Sequence, residues 1–213
     1  MKIFKRLIIA IVIIILITNS LFSQNNKKNT FFSNHPIDLS FGNILVGIPF
    51  SKLNLNPSNF LASAGTEFYY NQKPLSDFFQ TINFIYYHSE YSTSALIINS
   101  EIGYRYFFNF GLFTEGEFGI GYSHLFNPSA VYKQDENGKF KQAKDWGTPR
   151  LLADFSFSIG YKFNKQKLPS SLYLKYGNYL DLFYAPDIPA LPHNSFQIGA
   201  RFIINDKSRQ NEL

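Results

Sequence analysis

The chain of 213 residues has no cysteine. That excludes a disulfide framework, a thiolate metal site and a lipid-modified N-terminal cysteine. Charge is also scarce. Asp, Glu, Lys and Arg make up 16% of the residues, against about 25% in an ordinary soluble domain. Methionine and tryptophan occur once each. After the N-terminal segment, no apolar run approaches the ~18 residues that mark a membrane-crossing helix. No phosphate-binding loop, dinucleotide-binding glycine pattern or zinc ribbon is present, so the sequence implies no cofactor and no metal. What the chain has instead is aromatic: 24 Phe and 14 Tyr within a 45% hydrophobic composition.

The N-terminus reads as an export signal. Lys2, Lys5 and Arg6 form a positive start, residues 7–17 are an unbroken apolar run, and residues 18–23 supply small residues for cleavage. Such a run is too short for a spanning helix, which needs about 20 residues, and fits a cleaved secretory signal. Cleavage is expected after Ser23. The formal charge of +5 then falls to +2, with 17 basic residues against 15 acidic. That lacks the clustered basic face of a nucleic-acid binder. The ending Leu21-Phe22-Ser23-Gln24 resembles exported proteins of Bacteroidota-type bacteria. Residues 24–36 are polar and aperiodic, as in a flexible periplasmic lead-in.

The rest is organised around residues 110–124. Phe110, Leu112, Thr114, Gly116, Phe118, Ile120 and Tyr122 occupy one parity. Gly111, Phe113, Glu115, Glu117, Gly119, Gly121 and Ser123 occupy the other. A strand turns alternate side chains to opposite faces. This is therefore a strand with one apolar and one polar side, long enough to cross a bilayer at a tilt.

The pattern recurs, with turn chemistry between. Strands are predicted at residues 37–48, 60–70, 78–88, 95–107, 110–124, 151–163, 171–180 and 195–204. In the first, the apolar parity switches at Gly42-Asn43, which predicts a bulge. Residues 131–142 read as an extra hairpin turning at Asn137-Gly138. Residues 185–193 read as a Pro-rich loop and residues 205–213 as a polar tail. Connections after the even strands are short and those after the odd strands longer. Outer-membrane barrels have short periplasmic turns and longer extracellular loops. The expected fold is all-β: an eight-stranded antiparallel up-and-down transmembrane barrel over residues 37–204, with both termini in the periplasm.

Periodicity does not say which face points inward. Energetics decide it. The polar parity carries Glu67, Glu101, Glu115, Glu117 and Asp154 against Arg105, Lys162, Lys175 and Arg201. A basic residue facing lipid at the midplane costs about 2–4 kcal/mol, so in a membrane these charges belong in the lumen as a structural network. A soluble, lipocalin-like periplasmic barrel would invert the faces, and its outer surface would need denser charge than this. The alternation and the strand-end Tyr and Phe resemble the small eight-stranded outer-membrane proteins of the OmpA-barrel and OmpX type. That resemblance implies contact with outer-membrane lipids and lipopolysaccharide, and with the barrel-assembly machinery during biogenesis.

Candidate chemistry is sparse. Glu115 and Glu117 share a face, but so do several countercharges. Barrels resembling lipid A deacylases use a His and a Ser two residues apart on one strand face. Ser123 and His124 are adjacent, so alternation sends them to opposite faces, away from the hydrogen bond that activation requires. His88, His124 and His193 fall near the same barrel rim without metal-ligand spacing. The long connection over residues 125–149 carries Lys133, Lys139, Lys141 and Trp146, candidates for binding a partner, since loops on rigid scaffolds carry function. The reading is a non-enzymatic barrel, closed to conduction, with a structural, adhesive or partner-docking role through extracellular loops. The alternative is an outer-leaflet lipid-modifying hydrolase.

Overall fold

The computed structural model describes residues 35–48, 58–90, 93–127, 131–134, 138–163, 169–185 and 187–203. The export signal, most of the lead-in and the polar tail lie outside the described residues. Among the described residues ten strands form: β1 Ile37–Val46, β2 Phe60–Gln72, β3 Ser76–His88, β4 Ser94–Phe107, β5 Leu112–Phe126, β6 Val131–Gln134, β7 Phe140–Ala143, β8 Thr148–Lys162, β9 Ser171–Ala185 and β10 Ile188–Phe202. Eight of them close into a barrel in the order β1-β2-β3-β4-β5-β8-β9-β10, every neighbour antiparallel. The pair β6–β7 stands apart as a two-stranded ribbon. The eight-stranded up-and-down barrel and the extra hairpin match the periodicity.

The sidedness also follows the alternation. Phe118, Ile120, Phe157 and Ile198 point outward and are each more than half exposed. Similar residues on β1, β3 and β4 continue them around the wall: Phe41, Phe84, Ile98 and Ile102. Soluble monomers rarely expose contiguous apolar patches beyond a few hundred Å². An apolar wall encircling buried charge suits hydrocarbon outside and excludes the lipocalin-like arrangement, which puts the apolar face in.

Three sequence expectations are corrected. The first is the bulge at Gly42-Asn43. The β1–β10 register runs unbroken from Ile37 to Val46. Asp38, Ser40, Gly42 and Ile44 are one inward row, and Ile44 is fully buried. The apolar parity changes because the interior changes from polar to apolar along the barrel, not because the strand kinks. Gly42 is required by closeness. A Cβ there would lie 2.1 Å from the carbonyl oxygen of Phe196 and 2.7 Å from Cα of Gln197, both backbone atoms that cannot turn aside. Gly42→Ala is expected to loosen the β1–β10 seam, at about 1–3 kcal/mol as for other overpacking. Urea unfolding in lipid vesicles reads it, and an unchanged midpoint would contradict the close approach.

The second correction is the start of the central strand. Phe108 to Gly111 form the turn, with Gly111 N–H donating to the Phe108 carbonyl at 3.0 Å and φ of +93° at Gly111. That backbone favours glycine, so pairing begins at Leu112. The third is the Pro-rich loop. Residues 188–193 are strand, and only residues 186–187 separate β9 from β10. The long-loop rule therefore fails at this connection, which is a hairpin extended beyond its predicted ends. Prolines sit in it because strand ends tolerate a missing donor.

That hairpin carries an irregularity. Its register shifts between Ile188 and Ala190. Opposite the shift, Phe183 adopts φ of 56°, rare for a bulky side chain. The consequence is a swap of faces. Phe183 is 74% exposed, while Tyr184 packs against the inner apolar cluster. The Arg150 guanidinium holds the kink, donating to the Phe183 carbonyl at 3.0 Å and the Tyr184 carbonyl at 2.6 Å.

Candidate functional site

The barrel interior is stacked in layers from the end that holds Ile37 and Phe202, here the terminus end, to the opposite, loop end. The lowest layer is aromatic: Phe107, Phe113 and Tyr173. Arg105 and Arg201 lie above it. The Arg105 guanidinium carbon is 4.4 Å from the Phe79 ring centroid, and that of Arg201 is 4.4 Å from Tyr173. Arginine suits this position because its planar, weakly hydrated head both stacks on rings and forks to carboxylates.

Six strands deliver the charged groups of the next layer. Arg105 on β4 donates to Glu67 on β2 and to Glu115 on β5, each at 2.6 Å, and lies 3.6 Å from Asp77 on β3. Arg201 on β10 donates to Glu115 at 2.6 Å. Its Nε lies 3.0 Å from Asp38 and 2.5 Å from Glu67, as ion-pair contacts without hydrogen-bond alignment. Tyr69 donates to Glu67 at 2.6 Å, and Tyr173 donates to Asp38. Above this, Lys175 on β9 donates to Glu101 at 3.2 Å and to Glu117. Asn83 donates to Glu101 at 2.7 Å, Ser156 to Glu117 at 2.9 Å, and Asn99 to Asp154 at 3.1 Å. These groups come from all eight barrel strands, the ion pairs themselves from seven. A residual cavity between these layers, lined by Ser40, Thr81, Glu101, Lys175 and Gln197 among others, has room of about 10 Å³, roughly one water.

An apolar layer closes the loop end: Ile44, Leu61, Ile85, Tyr87, Ala95, Ile97, Leu125, Leu152 and Tyr179. Within it His193 Nε2 lies 3.0 Å from Asp181 Oδ2, both residues 1% exposed. The His193 ring sits 5.5 Å from that of Tyr87.

Of the predicted lumenal charges, Glu67, Glu101, Arg105, Glu115, Glu117, Asp154, Lys175 and Arg201 meet inside. Lys162 is exposed at the terminus end, its ammonium 4.3 Å from the Phe107 ring centroid. Sequence reasoning missed Asp38, Asp77 and Asp181. Asp38 was legible, since it alternates with the outward Ile37 and Leu39. Asp77 and Asp181 fell beyond strand ends drawn too short.

The histidines do not converge. His88 faces outward and hydrogen-bonds Ser94 at 2.8 Å. His124 also lies outside, between Tyr122 at 2.7 Å and the Trp146 carbonyl at 2.9 Å. Ser123 is buried inside, without a hydrogen-bond partner among the described residues. Ser123 and His124 therefore make no pair. The spacing sought there occurs instead at His193 and Ser195, two residues apart on one inward row, with Asp181 on the imidazole. Ser195, however, accepts from Gln197 at 2.9 Å and turns its hydroxyl toward the Gly177 carbonyl at 3.4 Å. Among the described residues, no group of three or more His, Asp or Glu side chains is placed to hold a metal ion.

At the loop end, residues 125–149 carry the ribbon β6–β7. Register sets Lys133 opposite Lys141 and Tyr132 opposite Gln142. Gly138 turns with φ of +79°. Asp145 organises the return to β8. It accepts from the backbone N–H groups of Asn127 at 2.7 Å and Gly147 at 2.9 Å. Those two bonds hold its carboxyl below the ordinary 3.8. A depressed carboxylate contributes order above its unfolded value and loses it as pH falls through the folded one. Trp146 emission is therefore expected to stay constant down to 3.8 and change only below it. A midpoint above that value would remove the role of Asp145.

No family model matches the chain, and no curated protein does. Solved structures do. The outer membrane enzyme PagL is similar with a TM-score of 0.50 at 12% identity, over 79% of this chain and 99% of that one. Neisserial surface protein A, NspA, gives 0.47 at 8% identity, over 80% and 96%. The N-terminal β-barrel domain of Pseudomonas aeruginosa OprF gives 0.41 at 13% identity, over 80% and 98%. At such identities the likeness is one of fold: the small eight-stranded outer-membrane β-barrel.

Proposed function

We propose that the protein is an outer-membrane barrel with a closed lumen, acting in a structural, adhesive or partner-docking role through its loop end, chiefly residues 125–149. The filled interior carries this reading. Interdigitated ion pairs from seven strands lie beneath an apolar cap, and the cavity between them has room for about one water. Eight strands enclose an interior that side chains fill, so transport through the lumen is not its work. Both termini lie on the periplasmic side, residues 1–23 are removed on export, and the charged lumenal residues are structural. The surroundings are outer-membrane lipid and lipopolysaccharide, reached with the help of the barrel-assembly machinery.

The test is deletion of residues 128–144 from the full chain. The deleted barrel should still migrate differently boiled and unboiled in detergent gels, while surface adhesion or partner capture by cells carrying it is lost. Unchanged adhesion and capture would sink the loop-end reading. Steady conductance across planar bilayers by the intact chain would sink the closed lumen.

A second reading has one observation in its favour. Asp181, His193 and Ser195 reproduce the residue types and the spacing of a lipid-modifying hydrolase. Their burial inside the barrel weighs against it, because a lipid outside the wall does not reach them. Mass spectrometry of lipid A from cells with and without the protein, and with His193→Ala, decides the matter. A His193-dependent change in acyl pattern would replace the first reading with this one.

A further inference from the structure

One face of the ribbon β6–β7 pairs rings with amides. Register sets Tyr132 opposite Gln142 and Gln134 opposite Phe140. These four residues share the face, the two rings on one diagonal and the two amides on the other. Alternation gives Lys141 to the opposite face, so the four side chains form an uncharged surface. Tyr132 is 60% and Phe140 73% exposed, and both glutamines are exposed with them. Gln134 donates to the Gly138 carbonyl at 3.0 Å, which ties its amide to the turn. The Tyr132 hydroxyl and the Gln142 amide have no hydrogen-bond partner among the described residues.

The chemistry of this face selects its occupant. Sinking it into hydrocarbon would strip two amides of water without replacing their hydrogen bonds. A protein–protein interface takes about 20–30 residues a side, and four are present here. A sugar matches both residue types at this size. A pyranose ring has a flat C–H face and a rim of hydroxyls. The negative π face of a Tyr or Phe ring attracts polarised C–H groups. A glutamine amide both donates and accepts, as each sugar hydroxyl does. Diagonal cross-strand neighbours stand about 7–8 Å apart, so the two rings are separate stacking platforms with an amide beside each. We infer that this face binds a neutral glycan, Tyr132 and Phe140 stacking on its sugar rings while Gln134 and Gln142 take its hydroxyls. An uncharged face favours an uncharged sugar over a sulfated or acidic one.

A sugar-binding ribbon rests on the adhesive loop end proposed above, and the test separates the two. The full chain, refolded into phosphatidylcholine vesicles, is passed over immobilised dextran, mannan, galactan and chitin oligomers, with dextran sulfate as the charged contrast. Expected is retention on at least one neutral polymer, unchanged by salt. Phe140→Ala and Tyr132→Ala should each weaken it about tenfold, as for an anchoring ring. Tyr132→Phe keeps the ring and should weaken it much less. Boiled and unboiled gel mobilities stay distinct in every variant, because the ribbon is outside the barrel sheet. No retention on any neutral polymer, retention that survives loss of both rings, or retention confined to dextran sulfate and erased by salt overturns the inference. Cells carrying the protein without residues 128–144 that still adhere would instead sink the adhesive loop end. Adhesion lost with that deletion but kept by Tyr132→Ala together with Phe140→Ala sinks the sugar alone and turns the search to a protein partner.

Discussion

Arg105→Met is expected to destabilise the barrel by about 3–5 kcal/mol, the range for breaking a buried pair by removing one partner. Arg105 is 3% exposed, and its guanidinium serves Glu67, Glu115 and Asp77 at once. Removing it leaves Glu67 and Glu115 in a region of low dielectric with Arg201 to share, and takes from Asp77 its guanidinium. Phe79 also loses the cation above its ring, while Phe113 keeps that of Arg201. Such a loss is a large fraction of a typical stability of about 5–15 kcal/mol. Urea unfolding in lipid vesicles measures it. Adding Glu115→Gln should cost much less than the sum of the two single changes, because the charge left stranded by the first substitution is removed by the second. A loss under about 1 kcal/mol for Arg105→Met, the size of an exposed pair, would show that the network is not sealed from water.

Ile120→Arg carries the second large effect, about 2–4 kcal/mol for a basic residue at the bilayer midplane. Ile120 lies near the middle of β5, faces outward and is 57% exposed. Its cross-strand neighbours are Ser100 and Ala153, too small to shield a guanidinium. Phe126→Arg, at the loop end of the same strand, should cost about 0–1 kcal/mol, since the penalty falls toward the interface. The contrast along one strand matters more than either value. Equal costs at both positions would mean that water, not hydrocarbon, surrounds the wall. Outward position alone would then have no depth dependence, and the outer-membrane reading would fail with it.

Much of this was legible in the chain. A period of two is a local property, since each residue's face follows from its neighbours one bond away. Glu115 and Glu117 on one parity and Phe118 and Ile120 on the other therefore announced both the strand and its sides. Scarce charge and abundant Phe and Tyr then placed the apolar side outward. The ends of elements were harder. Pro189 and Pro192 read as loop, but the β9–β10 pairing runs through them, because strand ends need fewer donors. The Gly42-Asn43 parity switch read as a bulge because alternation cannot tell an apolar plug from an apolar wall. Ile44 is buried in the plug.

What sequence alone decided about this protein is the strand, its two faces and the number of crossings, all set by local alternation and the cost of charge in lipid. Which side chains meet was left to closure. Glu67 and Arg201 are separated by most of the chain and become ion-pair partners only when β1 joins β10 and completes the ring. The same closure buries Asp181 against His193 within the apolar cap and separates Ser123 from His124 by the thickness of the wall. Those contacts depend on stagger and curvature, which no single strand encodes. They decide whether a carboxylate is a reactive group or part of a sealed plug, and here they leave the ribbon at the loop end as the place to look for function.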